Sequence, residues 1–345
     1  MKHFDRLRFF APLLGVVLFL CFPAEAAAGV RDGLRQVGTR LIPALFPIQV
    51  SAACLVRMEP TANADRFKPQ GSLRLPGLPG RFALPILLGL LGGYPLGAQL
   101  TATFCRKRVL TRIEAIRLSA VCNNAGPAFL IGVLGGILRD PVLGAALFLI
   151  HFISLLLVGF LLRPMPEPSP YRTARGQRPN KCGFFQVLPE AIGDCALSML
   201  RLAGSVVFFR SVWACVEAVL PISVLPPVLR AGLSGFLELA GGSELLRELP
   251  TSSAFPLAAF LSGWGGLCVH LQAALFFRSE GLPMRRYLLG KLLHGILSGT
   301  LALFLSVPQC GQAPFRRLLP IIFVILGIFF AFFAKRRWKK TNSVL

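Results

Sequence analysis

Long apolar runs separated by short basic clusters dominate the chain from end to end. After an N-terminal run, they lie at 38–56, 81–104, 113–138, 142–162, 196–220, 254–277, 287–306 and 318–334. Each run approaches the roughly 20 residues that an α-helix needs to cross a hydrocarbon core. Backbone polar groups in lipid must be paired within a helix or a closed barrel, and runs of this length do not suit barrel strands. The pattern predicts an all-α polytopic membrane protein with about nine membrane segments.

The composition supports this class and changes how the charge is interpreted. Of 345 residues, 54% are hydrophobic and only 15% are charged, whereas a soluble domain carries about a quarter. The net charge of +22 falls mostly in clusters beside apolar runs, such as residues 106–108 and 335–340. Because Lys and Arg accumulate in cytoplasmic loops, we interpret the charge as a topology signal. The expected partner is the lipid bilayer, and no nucleic acid is expected.

The basic segments also predict the orientation of the chain. The linker, the turn that holds Arg278, Arg285 and Arg286, and the C-terminal tail are basic and therefore predicted to be cytoplasmic. If the N-terminus and the linker are both cytoplasmic, the first half must cross the membrane an even number of times. It contains five predicted segments, so they cannot all be full crossings. One of the segments 81–104 and 113–138 is therefore expected to be broken or re-entrant.

The predicted organisation is a pair of halves flanked by terminal helices. The N-terminal segment also fits a cleavable signal peptide, although we favour a retained helix. The predicted divisions are an N-terminal membrane helix at 1–28, a first half at 29–163, a Pro-rich linker at 164–183, a second half at 184–306, and a C-terminal helix with a basic tail at 307–345.

A weak internal match at an offset of 160–170 residues relates the two halves. Residues 29–54 align with 191–216, which pairs Asp32 with Asp194 and Phe46 with Phe208. Downstream, GLLGGYPLGAQLTATF aligns with FLSGWGGLCVHLQAALFF. Coincidence among similar membrane segments is the alternative. In transporters with related halves, substrate lies near the midplane, where helices break.

Glycine and proline inside the apolar runs predict such helix breaks. Proline removes a backbone donor and prevents a continuous helical ladder. Glycines four residues apart also let membrane helices approach closely, so packing alone is the alternative. The predicted breaks are at Gly92, Gly93, Pro95, Gly97, Gly126, Pro127, Gly263, Gly265 and Gly266.

Polar side chains beside these breaks are the candidates to line a solute route. Burying a carboxamide without a partner costs roughly 1–3 kcal/mol. An amide both donates and accepts hydrogen bonds, which suits a neutral polar solute such as a nucleoside or a sugar. Helix capping and interhelical hydrogen bonding are the alternatives. The candidates are Tyr94, Gln99, Asn123, Asn124 and Gln272.

Ionisable side chains within the apolar runs are expected to face the bundle interior and to pair with one another. Arg210 and Glu217 lie two helical turns apart, so they share a face and predict either an ion pair or a bracket around a solute. The histidines lack metal-ligand spacing, the cysteines form no CxxC pair, and hydrolase motifs do not occur. We therefore expect no metal, no cofactor and no enzymatic activity. The ionisable candidates are Arg210, Glu217, Glu238, His270, Lys291 and His294, with His151 in the first half.

Several motifs resemble one known family. GYPLGA at 93–98 and CNNAGP at 122–127, followed by SGWGGLCVHLQ at 262–272 and YLLGKLLHG at 287–295, are similar to the YlbJ-type sporulation integral membrane proteins. That family is grouped with nucleoside transporters under the nucleoside-recognition, or gate, domain. The resemblance covers about residues 22–306 and implies an endospore-forming bacterium, the cell membrane and a part in spore cortex formation. It implies no demonstrated substrate.

Two functions fit these features. The first is the binding or passage of a small, nucleoside-like polar solute between the two halves. The second is a non-transporting membrane scaffold for partners in cortex assembly. Broken helices and buried polar groups favour the first, because a scaffold needs neither. The sequence predicts no oligomeric state.

Overall fold

The structure, a computed structural model, describes residues 2–58, 82–162 and 183–306. Every regular element in these three ranges is a helix, which confirms the all-α class. The predicted segment at 318–334, the C-terminal tail and nearly all of the linker lie outside the described residues. Five described helices are long and apolar enough to cross a membrane, and the predicted count of about nine is not confirmed. The five are Pro23–Leu55, Pro141–Leu161, Phe184–Val219, Thr251–Ser279 and Met284–Ser306.

The first half opens with a short helix and a long one. Helix α1 (Lys2–Cys21) ends before Phe22, and α2 (Pro23–Gln36) begins with a proline, which suits the first helical position because its missing N–H is not needed there. A π-helical turn (Val37–Leu41) leads without interruption into α3 (Ile42–Met58). Helix α1 therefore ends at Cys21, and the predicted position 28 lies inside α2.

A tight helical hairpin follows, made of α4 (Ala83–Gly92) and α5 (Leu96–Arg106). Its tip is at residues 93–95, where Gly93 has a φ of 71°. A Cβ built on Gly89 would lie 3.0 Å from the Cα of Gly97, so the two helices run back alongside each other. The segment predicted at 81–104 thus folds back on itself as a helical hairpin, which is one form that a re-entrant element takes.

The next membrane segment is interrupted in its middle. Helix α6 (Arg112–Cys122) starts with the predicted capping box, in which Thr111 accepts from the Glu114 N–H and Glu114 accepts from the Thr111 N–H. The chain is non-helical over residues 123–126. It then continues through a π-helix (Ala128–Leu134), α7 (Gly135–Ile137) and α8 (Pro141–Leu161).

The second half has the same kinds of element in the same order. The long helix α9 (Phe184–Val219) is followed by a hairpin with its tip at Glu238, then by a helix interrupted at Gly265, then by a straight helix. The hairpin is α10 (Pro227–Leu237) and α11 (Leu239–Leu245), the interrupted helix is α12 (Thr251–Trp264) and α13 (Gly266–Ser279), and the straight helix is α14 (Met284–Ser306).

This order shows where the predicted repeat alignment holds and where it is wrong. The continuous helix at 23–58 has the same length as the 36-residue α9, and the two start within the predicted offset. The glycine runs do not correspond, because GLLGGYPLG forms a hairpin whereas FLSGWGGLC forms an interrupted helix. Both runs are rich in glycine because both make close backbone contacts. This similar composition explains why their sequences align.

Two of the predicted helix breaks are instead packing positions. Gly97 lies inside α5, where a Cβ would come within 1.8 Å of the Cys122 carbonyl oxygen. Gly263 lies inside α12, where a Cβ would come within 2.7 Å of the Gly295 Cα. These glycines let neighbouring helices approach to backbone contact, and the chain continues helically through both.

Reciprocal ion pairs join the long helices of the two halves, which run antiparallel. Arg210 on α9 pairs with Asp32 on α2, and Arg57 on α3 pairs with Asp194 on α9. The predicted pairing of Arg210 with Glu217 is wrong, since Glu217 is exposed. A partner on a facing helix meets the guanidinium directly, whereas a partner two turns along the same helix does not.

We expect Asp32→Asn and Arg210→Gln to be coupled in stability. Each substitution alone should lower the thermal unfolding temperature in detergent, because it leaves the other group without its partner. The second substitution should cost little once the first is present, with a coupling energy of about 1–2 kcal/mol. Glu217→Gln is the control and should be neutral. Additive losses for Asp32 and Arg210 would contradict the pairing.

Candidate functional site

The tip of the first hairpin meets the interruptions of both halves. A Cβ on Gly93 would lie 3.2 Å from the backbone nitrogen of Gly126, in the non-helical segment of the first half. Next to it, the Tyr94 hydroxyl donates to the Ser262 carbonyl at 2.6 Å, close to the interruption of the second half. Gln49 on α3 supports this tip by donating to the Tyr94 carbonyl at 3.2 Å.

The tip of the second hairpin reaches the same place. A Cβ on Gly266 would lie 3.2 Å from the Leu237 carbonyl oxygen, and Gly266 has a φ of 83°. The Trp264 indole donates to the Phe236 carbonyl at 3.3 Å, and their rings stack with centroids 4.8 Å apart. Two hairpin tips and two helix interruptions therefore converge, and free backbone groups collect where they meet.

Asn123 and Asn124 occupy the first interruption and are almost completely buried. The Asn124 amide nitrogen donates to the Val121 carbonyl at 2.8 Å. Because a carbonyl oxygen can only accept, the amide nitrogen of Asn124 must face Val121, and the Asn124 Oδ1 points away from it. The Asn123 amide nitrogen donates to the Tyr287 hydroxyl at 3.2 Å. Neither Oδ1 has a hydrogen-bond partner within the described residues, so each is an acceptor available to another molecule.

The Tyr287 hydroxyl connects Asn123 to His270 through hydrogen bonds. The Tyr287 oxygen accepts from Asn123 and lies 3.1 Å from the His270 Nδ1, to which its hydroxyl donates when that nitrogen carries no hydrogen. A neutral His270 then carries its hydrogen on Nε2. That atom is buried and has no partner in the described part of the chain. In this tautomer the site offers a donor as well as two acceptors.

Lys291 on α14 is the basic side chain at the centre of the site. Its side chain is 1% exposed, and its Nζ donates to the Asn123 carbonyl at 2.9 Å and to the Tyr94 hydroxyl at 3.2 Å. Nζ also lies 5.1 Å from the centre of the Tyr94 ring. All these partners are neutral, and no carboxylate among the described residues forms an ion pair with Lys291. A buried ammonium without a counter-charge is unfavourable, so the site is suited to an acidic group.

Two stacked histidines lie beside this centre. The His294 Nε2 donates to the His151 carbonyl at 3.0 Å, and the two rings lie 4.1 Å apart. The Ala125 N–H donates to the His151 Nε2 at 3.3 Å, so a neutral His151 carries its hydrogen on Nδ1. That Nδ1 is buried without a partner in the described ranges. Within the same ranges, no group of three or more potential ligands could hold a metal ion.

The structure brings only some of the predicted residues together. Gln99 is half-buried in α5, and no described contact joins it to the network. Gln272 is buried, but it lies two residues from His270 on α13 and so points about 200° away around that helix. Glu238 caps α11 by accepting from the N–H groups of Ala240 at 2.8 Å and Gly241 at 2.5 Å. Tyr94, Asn123, Asn124, His270, Lys291 and His294 do converge.

Tyr287 and Gln49 also belong to the network, although neither is among the candidates predicted from the sequence. Tyr287 is fully buried at the start of α14 and links Asn123 to His270. It belongs to the motif YLLGKLLHG and precedes Lys291 by one helical turn, and this spacing is the signal in the sequence that indicates it. Gln49 lies within an ordinary apolar run, and its partner is the backbone of a different element. Nothing in the local sequence indicates that contact.

Comparison with known proteins supports the family resemblance. The chain is 24% identical over 329 residues to the sporulation integral membrane protein YlbJ of Bacillus subtilis strain 168, and the match covers 83% of this chain and 79% of that protein. The predicted similarity to YlbJ-type proteins is thereby confirmed. No family model matches the chain, so its grouping under the gate domain stays a prediction. No solved structure matches it.

Proposed function

We propose that this multi-pass membrane protein binds a small polar solute that carries an acidic group, and passes it across the membrane between its two halves. The observation that carries the proposal is Lys291. Its Nζ is buried at the meeting point of the helix breaks and contacts only neutral groups. A carboxylate or phosphate on the solute would supply the missing counter-charge.

The unpaired polar atoms around Lys291 indicate which other groups the solute would carry. The two asparagine oxygens would accept from N–H or O–H groups, and the His270 Nε2–H would donate to a carbonyl or hydroxyl oxygen. The acidic group is a refinement of the neutral solute expected from the sequence. It follows from the position of Lys291, which the sequence does not provide. The proposal includes no chemical step.

The relation between the halves supports passage as well as binding. The long helices of the two halves run antiparallel, so the two hairpins are expected to enter the membrane from opposite sides. Arg106 at the end of the first hairpin binds Glu280 at 2.8 Å, and Arg112 donates to the Gly281 carbonyl at 2.5 Å. These contacts place two basic segments at one end of the protein, which we assign to the cytoplasm together with the linker and tail. Such inverted halves can open the site to each side in turn.

The similarity to YlbJ supports a role in sporulation. YlbJ of Bacillus subtilis is named as a sporulation integral membrane protein. We propose that the present chain acts in the cell membrane during sporulation, in the formation of the spore cortex. The solute would then be required for that process.

Uptake into liposomes tests the proposal with matched pairs of solutes that differ in an acidic group. Suitable pairs are N-acetylglucosamine with N-acetylmuramic acid, and uridine with uridine 5′-monophosphate. We expect uptake of an acidic member. Asn123→Ala/Asn124→Ala should reduce it by about tenfold or more, because two acceptors are lost. Gln99→Ala should leave it near the wild-type rate.

The opposite result would favour a scaffold. Wild-type protein that takes up no solute, together with normal sporulation in cells carrying Asn123→Ala/Asn124→Ala, would overturn the transport proposal. Thermal unfolding of the double variant in detergent shows whether a loss of uptake reflects the site rather than the fold.

A further inference from the structure

The hydrogen bonds of the two stacked histidines determine where each neutral ring carries its hydrogen. The Ala125 N–H donates to the His151 Nε2 at 3.3 Å, so that nitrogen carries no hydrogen. The His151 carbonyl can only accept, so the His294 Nε2, 3.0 Å away, carries one. A neutral His294 therefore has no hydrogen on Nδ1, and that nitrogen makes no hydrogen bond within the described residues.

Of the two rings, His294 is the one that can accept a proton. A hydrogen added to the His151 Nε2 would face the Ala125 N–H, and a contact within the first interruption would be lost. A hydrogen added to the His294 Nδ1 leaves the bond to the His151 carbonyl in place. The ring centres are 4.1 Å apart, and two positive charges at that distance repel each other. The pair therefore takes one proton, on His294.

The helices around His294 supply no carboxylate to balance that proton. His294 is 1% exposed, and α14 packs against α6, α8, α12 and α13. Apart from Glu114, which belongs to the capping box at the start of α6, these described helices contain no Asp or Glu. A buried charge without a counter-charge is unfavourable. The protonated form therefore needs a negative group from a ligand.

The other ionisable groups near this face are neutral or basic. The arginines of these helices lie within two turns of the end that carries the basic segments, and α12 has no ionisable residue. The ionisable side chains that remain at the site are His151 on α8, Cys122 at the end of α6, His270 on α13, and Tyr287 and Lys291 on α14.

A proton on His294 would add a second positive charge to that of Lys291. The two residues are three positions apart on α14, so their side chains lie on the same face of the helix. A ligand that balances both must bring two negative charges. A carboxylate carries one, whereas a phosphate monoester carries close to two above its second pKa of about 6. The arrangement therefore favours a phosphate monoester.

We propose that the preferred solute carries a phosphate monoester, and that His294 takes up one proton on Nδ1 when this solute binds. The inference rests on the proposed binding of an acidic solute at Lys291, and it names the class of that solute. The proton comes from the surrounding water, and no bond of the solute is formed or broken. Binding of the solute and binding of the proton would then strengthen each other.

Calorimetric titration of the full-length protein in detergent tests this inference with solutes that share a body. The pairs are uridine 5′-monophosphate with uridine 5′-carboxylate, and N-acetylglucosamine 6-phosphate with N-acetylmuramic acid. Titrations at about pH 7.5, where the phosphate carries close to two charges, are repeated in buffers that differ in ionisation enthalpy, which gives the number of protons taken up.

In at least one pair, the phosphate member should bind about tenfold or more tightly than the carboxylate member. It should also take up about one proton more, since His294 is protonated only with the dianion. Because that proton is taken up on binding, the affinity for the phosphate member should fall as the pH rises from about 7.5 to about 8.5, by up to about tenfold.

His294→Gln keeps a donor that can reach the His151 carbonyl but cannot take the proton. This variant should lose the extra proton and the preference for phosphate, while it binds the carboxylate member like the wild type. Ser298→Ala is the matched control, because Ser298 lies one turn further along α14 and its buried hydroxyl has no partner in the described ranges. It should behave like the wild type in every titration.

Two results would overturn the inference and leave the proposed function standing. One is an equal proton count for the two members of a pair with the wild type, which depends on no variant. The other is an unchanged extra proton in a folded His294→Gln variant. Wild-type protein that binds no acidic member of either pair would overturn both the inference and the proposed function.

Discussion

Replacing Lys291 with methionine is expected to lower uptake of the acidic solute by about 10- to 100-fold. Lys291 would offer the solute a charge-assisted hydrogen bond, and such a bond contributes about 1.5–3 kcal/mol. A contribution of this size corresponds to about one to two powers of ten in affinity. Methionine has a similar length and no charge, so it tests the ammonium rather than the packing.

The same variant should not lose stability. Replacing a buried charge that has only neutral partners by an apolar side chain is often neutral or stabilising. We therefore expect Lys291→Met to unfold at the wild-type temperature or above in detergent while uptake falls. Initial rates for both members of each solute pair provide the control, because the neutral member should lose much less. An unchanged rate for the acidic member would show that Lys291 does not meet the solute.

Gly97→Ala is expected to have the largest effect on stability. A Cβ at this position would lie 1.8 Å from the Cys122 carbonyl oxygen and 2.9 Å from the Asn123 Cα. Both are backbone atoms at the end of α6, so no side chain can move aside. The hairpin and the interrupted helix would have to separate, at a cost of about 3 kcal/mol or more.

Gly132→Ala is the matched control for Gly97→Ala. Gly132 is also a helical glycine of the first half, and a Cβ there meets nothing within 4 Å. Thermal unfolding of purified protein should show a large loss for Gly97→Ala and little change for Gly132→Ala. Equal unfolding temperatures would contradict the packing described for α4, α5 and α6.

Much of the fold could be predicted, because helix-length apolar runs are distinctive. The second hairpin could not. Its two helices, α10 and α11, have 11 and 7 residues, and Glu238 at the tip lowers the hydropathy of the segment. A membrane span is recognised by about 20 consecutive apolar residues. Two short helices that fold back on each other do not give that signal.

The site could be predicted only where its features lie close together in the sequence. Asn123 and Asn124 stand beside a Gly-Pro pair, so the sequence itself indicates both a helix break and buried amides. The contacts of Lys291 are different, since Asn123 and Tyr94 lie 168 and 197 residues away along the chain. Which polar groups remain unpaired depends on these distant partners. Local patterns gave the candidate residues but not the charge of the ligand.

The ion pairs between the long helices carry an implication for how the two halves can move. Each half supplies one aspartate and receives one arginine, through Asp32 with Arg210 and Asp194 with Arg57. The two aspartates are equivalent in the predicted repeat, but Arg57 lies nine residues beyond Ile48, the position that matches Arg210, so the two pairs are not copies of one contact across an exact twofold axis. Each pair fixes a different point along α9, and a sliding movement of one long helix past the other would have to break both.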